Sequence, residues 1–159
     1  MRRQRIETFY NEHRDRLYTY ALGLTGSAAT AEDAVHAAIS KLMSVPLLPR
    51  RLKPYCYRCI RNAAIDDWRK YAARHDGAAD HDPISSGAPA QETRHDVEAL
   101  LQRLADEERE AVVLKTLHGF TFREIASIQG LPLNTVASRH RRALQKLKDF
   151  YEEDAHGQT

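Results

Sequence analysis

Five side chains between Thr135 and Lys146 have the types and the spacing to grip duplex nucleic acid. On a helix turning about 100° per residue, Thr135, Ser138, Arg139, Arg142 and Lys146 gather on one side. Val136, His140, Ala143 and Leu147 share the other, which reads as a packing face. An arginine reaches a guanine edge with two hydrogen bonds, each good pair discriminating by about 1–3 kcal/mol. Hydroxyls and lysine hold phosphates. An ordinary amphipathic helix with a solvated basic face has much the same composition. The preceding residues favour groove reading. Thr121 and Glu124 have capping-box spacing. Phe122, Ile125 and Ile128 form an apolar stripe, Ala126 leaves room for a crossing helix, and Gly130 permits a tight turn. Pro132 sets an entry angle, with Asn134 or Thr135 placed to cap the next helix. That is the order of a helix-turn-helix.

A second constellation lies at Tyr55–Arg74. Arg58, Asn62 and Arg69 fall near one another on a helix, with Asp66 beside them, and Tyr55, Tyr57, Trp68 and Tyr71 interleave rings with the cations. Rings and guanidiniums along a basic groove suit unpaired bases, at about 1–3 kcal/mol per stacked base. Each ring taken singly reads equally well as core. The opposite face carries Cys56, Cys59, Ile60, Ala63 and Tyr71.

Other reactive residues point to no catalysis. Cys56 and Cys59 have a metal-like spacing, but structural zinc takes four ligands. Both fall on the apolar face and read as buried, inert thiols. The eight histidines are scattered. Asp66 and Asp67 point about 100° apart on a helix. With no phosphate loop or nucleophile motif, the expectation is no catalytic residue, no metal and no cofactor.

The elements holding these groups read as helices throughout. Ile6 to Leu24 has apolar residues at three- and four-residue steps, and Thr25-Gly26-Ser27 closes it. Thr30 and Asp33 have the spacing to open a second helix, with Ala34, Val35, Ala38, Ile39, Leu42 and Met43 as its stripe, closed by Pro46 and Pro49. Pro54 opens a third, Tyr55–Arg74. Residues 75–91 are rich in Gly, Ala, Ser, Pro and Asp without periodicity. Helical pattern resumes with Val97, Leu100, Leu101 and Leu104. Asp106 starts the next helix, with acidic residues in its first turn where the helix dipole favours them, and Gly119 ends it. Phe150 and Tyr151 finish the last stripe, and after Glu152 the tail is polar. The expected fold class is all-α: two small helical domains joined by a flexible linker, over residues 1–75, 76–95 and 96–153, the last containing the helix-turn-helix.

Net charge is only +2, but it is segregated. Residues 50–74 hold eight Arg or Lys against two Asp, residues 76–110 ten acids against three Arg, and residues 136–148 five bases and no acid. Two basic blocks around an acidic one suggest two contacts with a polyanion. The chain has no apolar run of about 18 residues and no secretory core near its start, so a cytoplasmic protein without a membrane span is expected.

Residues 17–35, LYTYALGLTGSAATAEDAV, and 61–69, RNAAIDDWR, resemble the first domain of extracytoplasmic-function sigma factors of the sigma-70 family. Residues 104–147, with LADEEREAVVLKTLHGFTFREIA and GLPLNTVASRHRRAL, resemble the second. The resemblance implies an RNA polymerase subunit that brings core polymerase to promoters, reads the −35 element as duplex and helps open the −10 element. By position it places Thr135, Ser138, Arg139 and Arg142 on −35 DNA, with Lys146 on the same face. Arg58, Arg61, Asn62, Asp66 and Arg69 line the −10 strand, joined by Trp68 from the ring cluster. Asp33, Val35, His36 and Ile39 stand where the family docks the polymerase β′ coiled coil. Core RNA polymerase, promoter DNA and an anti-sigma protein are the implied partners. The segment His36-Ala37-Ala38-Ile39 departs from the family's hydrogen-bonding and aromatic pattern there, and Ala137, His140 and Trp68 replace Lys, Leu and Leu. Two other readings stand beside this one: a stand-alone helix-turn-helix regulator with an N-terminal interaction module, and a sigma-like decoy with weak polymerase binding.

Overall fold

The structure is a computed structural model that describes residues 1–74 and 92–157, and of residues 92–96 the backbone alone. Seven helices and no strand occur among the described residues: α1 (Arg2–Thr25), α2 (Ala28–Ser44), α3 (Leu52–Arg74), α4 (Glu92–Gln102), α5 (Asp106–Thr116), α6 (Phe122–Gln129) and α7 (Leu133–His156). They divide into two compact units, α1–α3 and α4–α7. The linker expected at 76–95 lies, up to residue 91, outside the described residues; from Glu92 onward the chain is already α4.

In the first unit, α1 buries Ile6, Phe9, Leu17, Tyr20 and Ala21. The helix stops at Gly26, whose φ of 69° suits a residue without Cβ, and its N–H donates to the Leu22 carbonyl at 2.8 Å. α2 starts earlier than Thr30 and Asp33 suggest. Ser27 is the N-cap, its hydroxyl accepting from the Thr30 N–H at 3.4 Å. The buried face of α2 is mostly small, Ala31, Ala34, Val35, Ala38 and Leu42, so its neighbours pass close. Met43, expected in that stripe, is exposed. α3 begins at Leu52, so Pro54 stands in its first turn, where a missing N–H costs nothing. Its core residues are Leu52, Cys56, Tyr57, Ile60 and Ala64, with the Tyr57 and Tyr20 ring centroids 4.8 Å apart. Arg2 donates to the carbonyls of Leu42, Val45 and Pro46, satisfying oxygens at the α2 C-terminus.

In the second unit, Leu104, Val112 and Ala143 form one buried cluster, with Leu101, Leu147 and Phe150 packed against them, and Leu114, Phe120, Ile125, Ile128 and Val136 are buried as well. Arg109 ties the α4–α5 turn: Nε donates to the Leu101 carbonyl at 2.9 Å, and Nη2 to those of Leu104 and Gln102 at 2.9 and 3.2 Å. Val97, expected on the packing face of α4, is 53% exposed. α5 ends at Thr116, and Gly119, with φ 70°, belongs to the turn that follows. α7 continues past Glu152 to His156. Phe150 is covered by the Arg103 guanidinium, 4.0 Å from the ring centroid, while Tyr151 is exposed and takes no part in the stripe.

Candidate nucleic-acid interface

The helix-turn-helix is α6 and α7. The capping box forms in full: the Thr121 N–H donates to Glu124 Oε1 and the Glu124 N–H to Thr121 Oγ1, each at 3.1 Å. Ile125 and Ile128 are buried and Phe122 half-buried. Gly130 takes a left-handed φ of 67° and the Leu131 N–H returns to the Ala126 carbonyl at 3.0 Å, closing a Schellman-like turn. Pro132 is the N-cap of α7, with no side-chain cap. Asn134 and Thr135 therefore sit inside the first turn of the helix instead of capping it.

Val136 and Ala143 are buried and Leu147 half-buried, as the periodicity requires. His140 packs with them. Its ring lies edge-on to Phe122 at 5.1 Å, and Lys115 stands over the other ring at 4.8 Å. Burial, and then the Lys115 charge, push the His140 pKa below its ordinary value. On the outer side Thr135 and Ser138 are half-buried and Arg142 exposed. Two cations there already have partners. Arg139 Nη2 is 3.6 Å from Glu107 Oε2, and Lys146 Nζ donates to Glu108 Oε1 at 2.7 Å. Sequence reasoning missed Arg141, an exposed cation on α7, and both glutamates. Arg141 belongs to the same basic run; the pairing of α5 acids with α7 bases leaves no mark at any short spacing.

In the first unit, Arg58, Asn62, Asp66, Trp68 and Arg69 are exposed along α3 and Arg61 is half-buried. The four aromatics separate. Tyr57 is core, Tyr55 half-buried, and Trp68 and Tyr71 exposed, so Tyr57 is removed from any stacking surface and Tyr71 from the apolar face expected for it. A groove of about 530 Å³ beside Trp68 and Tyr71 is lined also by Thr30, Asp33, Asp67 and Arg74. On α2, Asp33 and His36 are exposed and Ile39 half-buried. Val35, expected on the docking surface, is only 6% exposed and packs inward. Met43, one turn after Ile39, is exposed as well, and Leu47 is exposed in the loop that follows α2.

Cys56 is buried, and burial pushes its thiol up to about 12. Cys59 is half-buried, so only one of the pair is fully in the core; its thiol too is raised, chiefly by burial. No three His, Cys, Asp or Glu side chains converge as a metal site among the described residues, and no described helix is long and apolar enough to cross a membrane.

Comparison with known proteins follows the same division. The sigma-70 region 2 family matches residues 9–74 and the sigma-70 region 4 family residues 94–147. The ECF RNA polymerase sigma factor SigL of Mycobacterium tuberculosis is 32% identical over 157 residues, spanning 90% of this chain and 86% of its own length. The ECF RNA polymerase sigma factor SigE of Mycolicibacterium smegmatis is 30% identical over 87% of this chain and 58% of its own. Among solved structures, the sigma factor RpoE of Bartonella quintana, in complex with the anti-sigma factor NepR, has a similar fold, with a TM-score of 0.74 at 24% identity over 92% of this chain and 98% of that one. With a helix-turn-helix in its second unit, an exposed basic helix in its first and a sigma-70 region matched to each, the chain belongs to the sigma-70 family, as an ECF RNA polymerase sigma factor.

Proposed function

We propose that this sigma factor binds core RNA polymerase through the outer face of α2 and reads promoter DNA with α7 and α3. On α2, Asp33, His36 and Ile39 form the surface offered to the β′ coiled coil, with Val35 behind them in the core. On α7, Thr135, Ser138, Arg139 and Arg142 enter the major groove of the −35 element, with Lys146 on the same face. On α3, Arg58, Arg61, Asn62, Asp66 and Arg69 line the separated −10 strand, and Trp68 supplies a ring for an unpaired base. The protein performs no catalysis of its own and works in the cytoplasm. An anti-sigma protein is a further candidate partner, since the similar RpoE fold comes from such a complex.

The observation that carries this reading is the pairing of an exposed tryptophan among cations in one unit with a capped helix-turn-helix in the other. Single-strand and duplex recognition ask for different surfaces, and each unit offers one of them. Run-off transcription with core polymerase on a pool of random promoters tests it. Transcripts from a shared promoter sequence are expected. Weak association with core polymerase that yields no transcript would favour the decoy.

The unusual docking segment supports a second reading. On the outer face of α2, His36 and Ala37 offer few hydrogen-bonding groups to a coiled coil, as a stand-alone regulator would. Failure to retain core polymerase at low salt, with duplex binding intact, would select it.

A further inference from the structure

α5 opens on three consecutive acids, Asp106, Glu107 and Glu108, and the second and third meet cations of α7. The Glu108 side chain is 15% exposed. Its Oε1 accepts from Lys146 at 2.7 Å, and its Oε2 is shut off from solvent without a hydrogen-bond partner. Seven residues before Lys146, and so on the same face of α7, Arg139 is 24% exposed with its guanidinium 3.6 Å from Glu107. Arg142 and Arg141 are exposed. Carboxylates beside a groove-reading helix repel a polyanion, so on charge alone they weaken DNA binding. What they offer is orientation. A guanidinium is a planar fork of five donors, and a carboxylate beside one edge fixes where the other edge points. An ammonium already donating to a half-enclosed carboxylate is not released cheaply to a phosphate.

We propose that Glu107 is a positioning residue for promoter reading, which aims the Arg139 guanidinium at a base edge, and that Glu108 ties Lys146 to α5 and so takes it out of the phosphate contacts. The inference rests on α7 being the groove-reading helix. It removes Lys146 from the neutralising set and leaves Arg142 on that face, with the hydroxyls bonding phosphates without neutralising them and Arg139 reserved for base reading.

The test uses the full chain bound to core polymerase and a pool of duplexes randomised over the upstream element, with retained DNA sequenced. Arg139→Ala marks the base position that Arg139 reads. Glu107→Gln keeps the side-chain shape and removes the charge. It is expected to relax preference at that same position by at least about fivefold, the low end for one lost base contact, and to leave the others intact. The double variant is expected to match Arg139→Ala. On the best duplex from the pool, Lys146→Met is expected to leave the salt dependence of binding unchanged, whereas Glu108→Gln steepens it by up to about one unit as Lys146 is released. Tighter binding of Glu107→Gln to all duplexes with an unchanged profile overturns the positioning role, as does uniform loss accompanied by a lowered melting temperature. A slope reduced by about one unit in Lys146→Met overturns the tether. If the wild-type complex enriches no sequence, the reading of α7 itself fails, and the inference with it.

Discussion

Trp68 and Tyr57 lie eleven residues apart on α3, and exposure decides what each does. Tyr57 has no exposed surface and packs, tilted, against Tyr20; Trp68 is 51% exposed beside the groove. Truncating a fully buried ring costs about 3–5 kcal/mol, whereas surface changes usually stay within about 0.5 kcal/mol. Tyr57→Ala is therefore expected to unfold the first unit. Trp68→Ala should leave the melting temperature nearly unchanged and impair promoter opening, followed by permanganate reactivity of unpaired thymines, more than closed-complex formation. Equal loss in both steps would place Trp68 on duplex DNA instead. His140 carries a prediction of a different kind. Its pKa in the fold lies below the ordinary 6.5, so below that pH the unfolded chain binds the extra proton first. Stability from this site is present at neutral pH and is lost as pH falls from about 6.5 towards the folded value. His13 acts in the same sense in the first unit. Replacing His140 by Leu removes the α7 contribution, so the melting temperature of His140→Leu should fall less than that of wild type on acidification. Parallel curves would show that the site does not titrate differently on folding.

At the scale of the element, the α6 capping box is the clearest local determinant. Both reciprocal bonds are made at 3.1 Å, and Thr121→Ala removes the hydroxyl half, worth about 0.5–2 kcal/mol. Because α6 buttresses α7 without contributing any of the assigned reading side chains, the expected result is a lower melting temperature and weaker duplex binding with base preference unchanged. A changed preference would mean that α6 itself reads DNA. This element was legible in the sequence because a Thr and a Glu three residues apart satisfy each other locally, and because Gly130 marks a left-handed turn. Other helix starts were less legible. Ser27, not Thr30, caps α2, since both can accept and only packing chooses; α7 starts at Leu133, after the N-cap Pro132, with no polar cap to mark it. Exposure was hidden for the same reason. Met43, Tyr71 and Val97 each fit an apolar periodicity, yet stay uncovered. The ion pairs of Glu107 and Glu108 join residues more than thirty positions apart, which no helical spacing encodes.

For the molecule as a whole, segregation governs the arrangement. Each unit buries its own core, and each has a helix, α3 in the first and α7 in the second, with exposed cations among its candidate DNA contacts. A single concentrated basic surface would bind any polyanion with one steep salt dependence. On the proposed reading, two surfaces of different chemistry divide the work: α7 presents bidentate donors suited to a groove, and α3 presents a ring and cations suited to a strand already opened. On that reading, perturbations of the two units act on successive steps, so their free energies should add, as they do for independent sites, to within about 0.3–0.5 kcal/mol. Arg142→Ala in α7 is expected to lower the yield of closed complexes, and Trp68→Ala in α3 the fraction of those that open. In run-off transcription the double variant should show the product of the two single losses, measured at limiting polymerase on one promoter. A double variant no worse than the weaker single would mean that both residues serve one step, and the separation of duplex reading from strand reading would have to be abandoned.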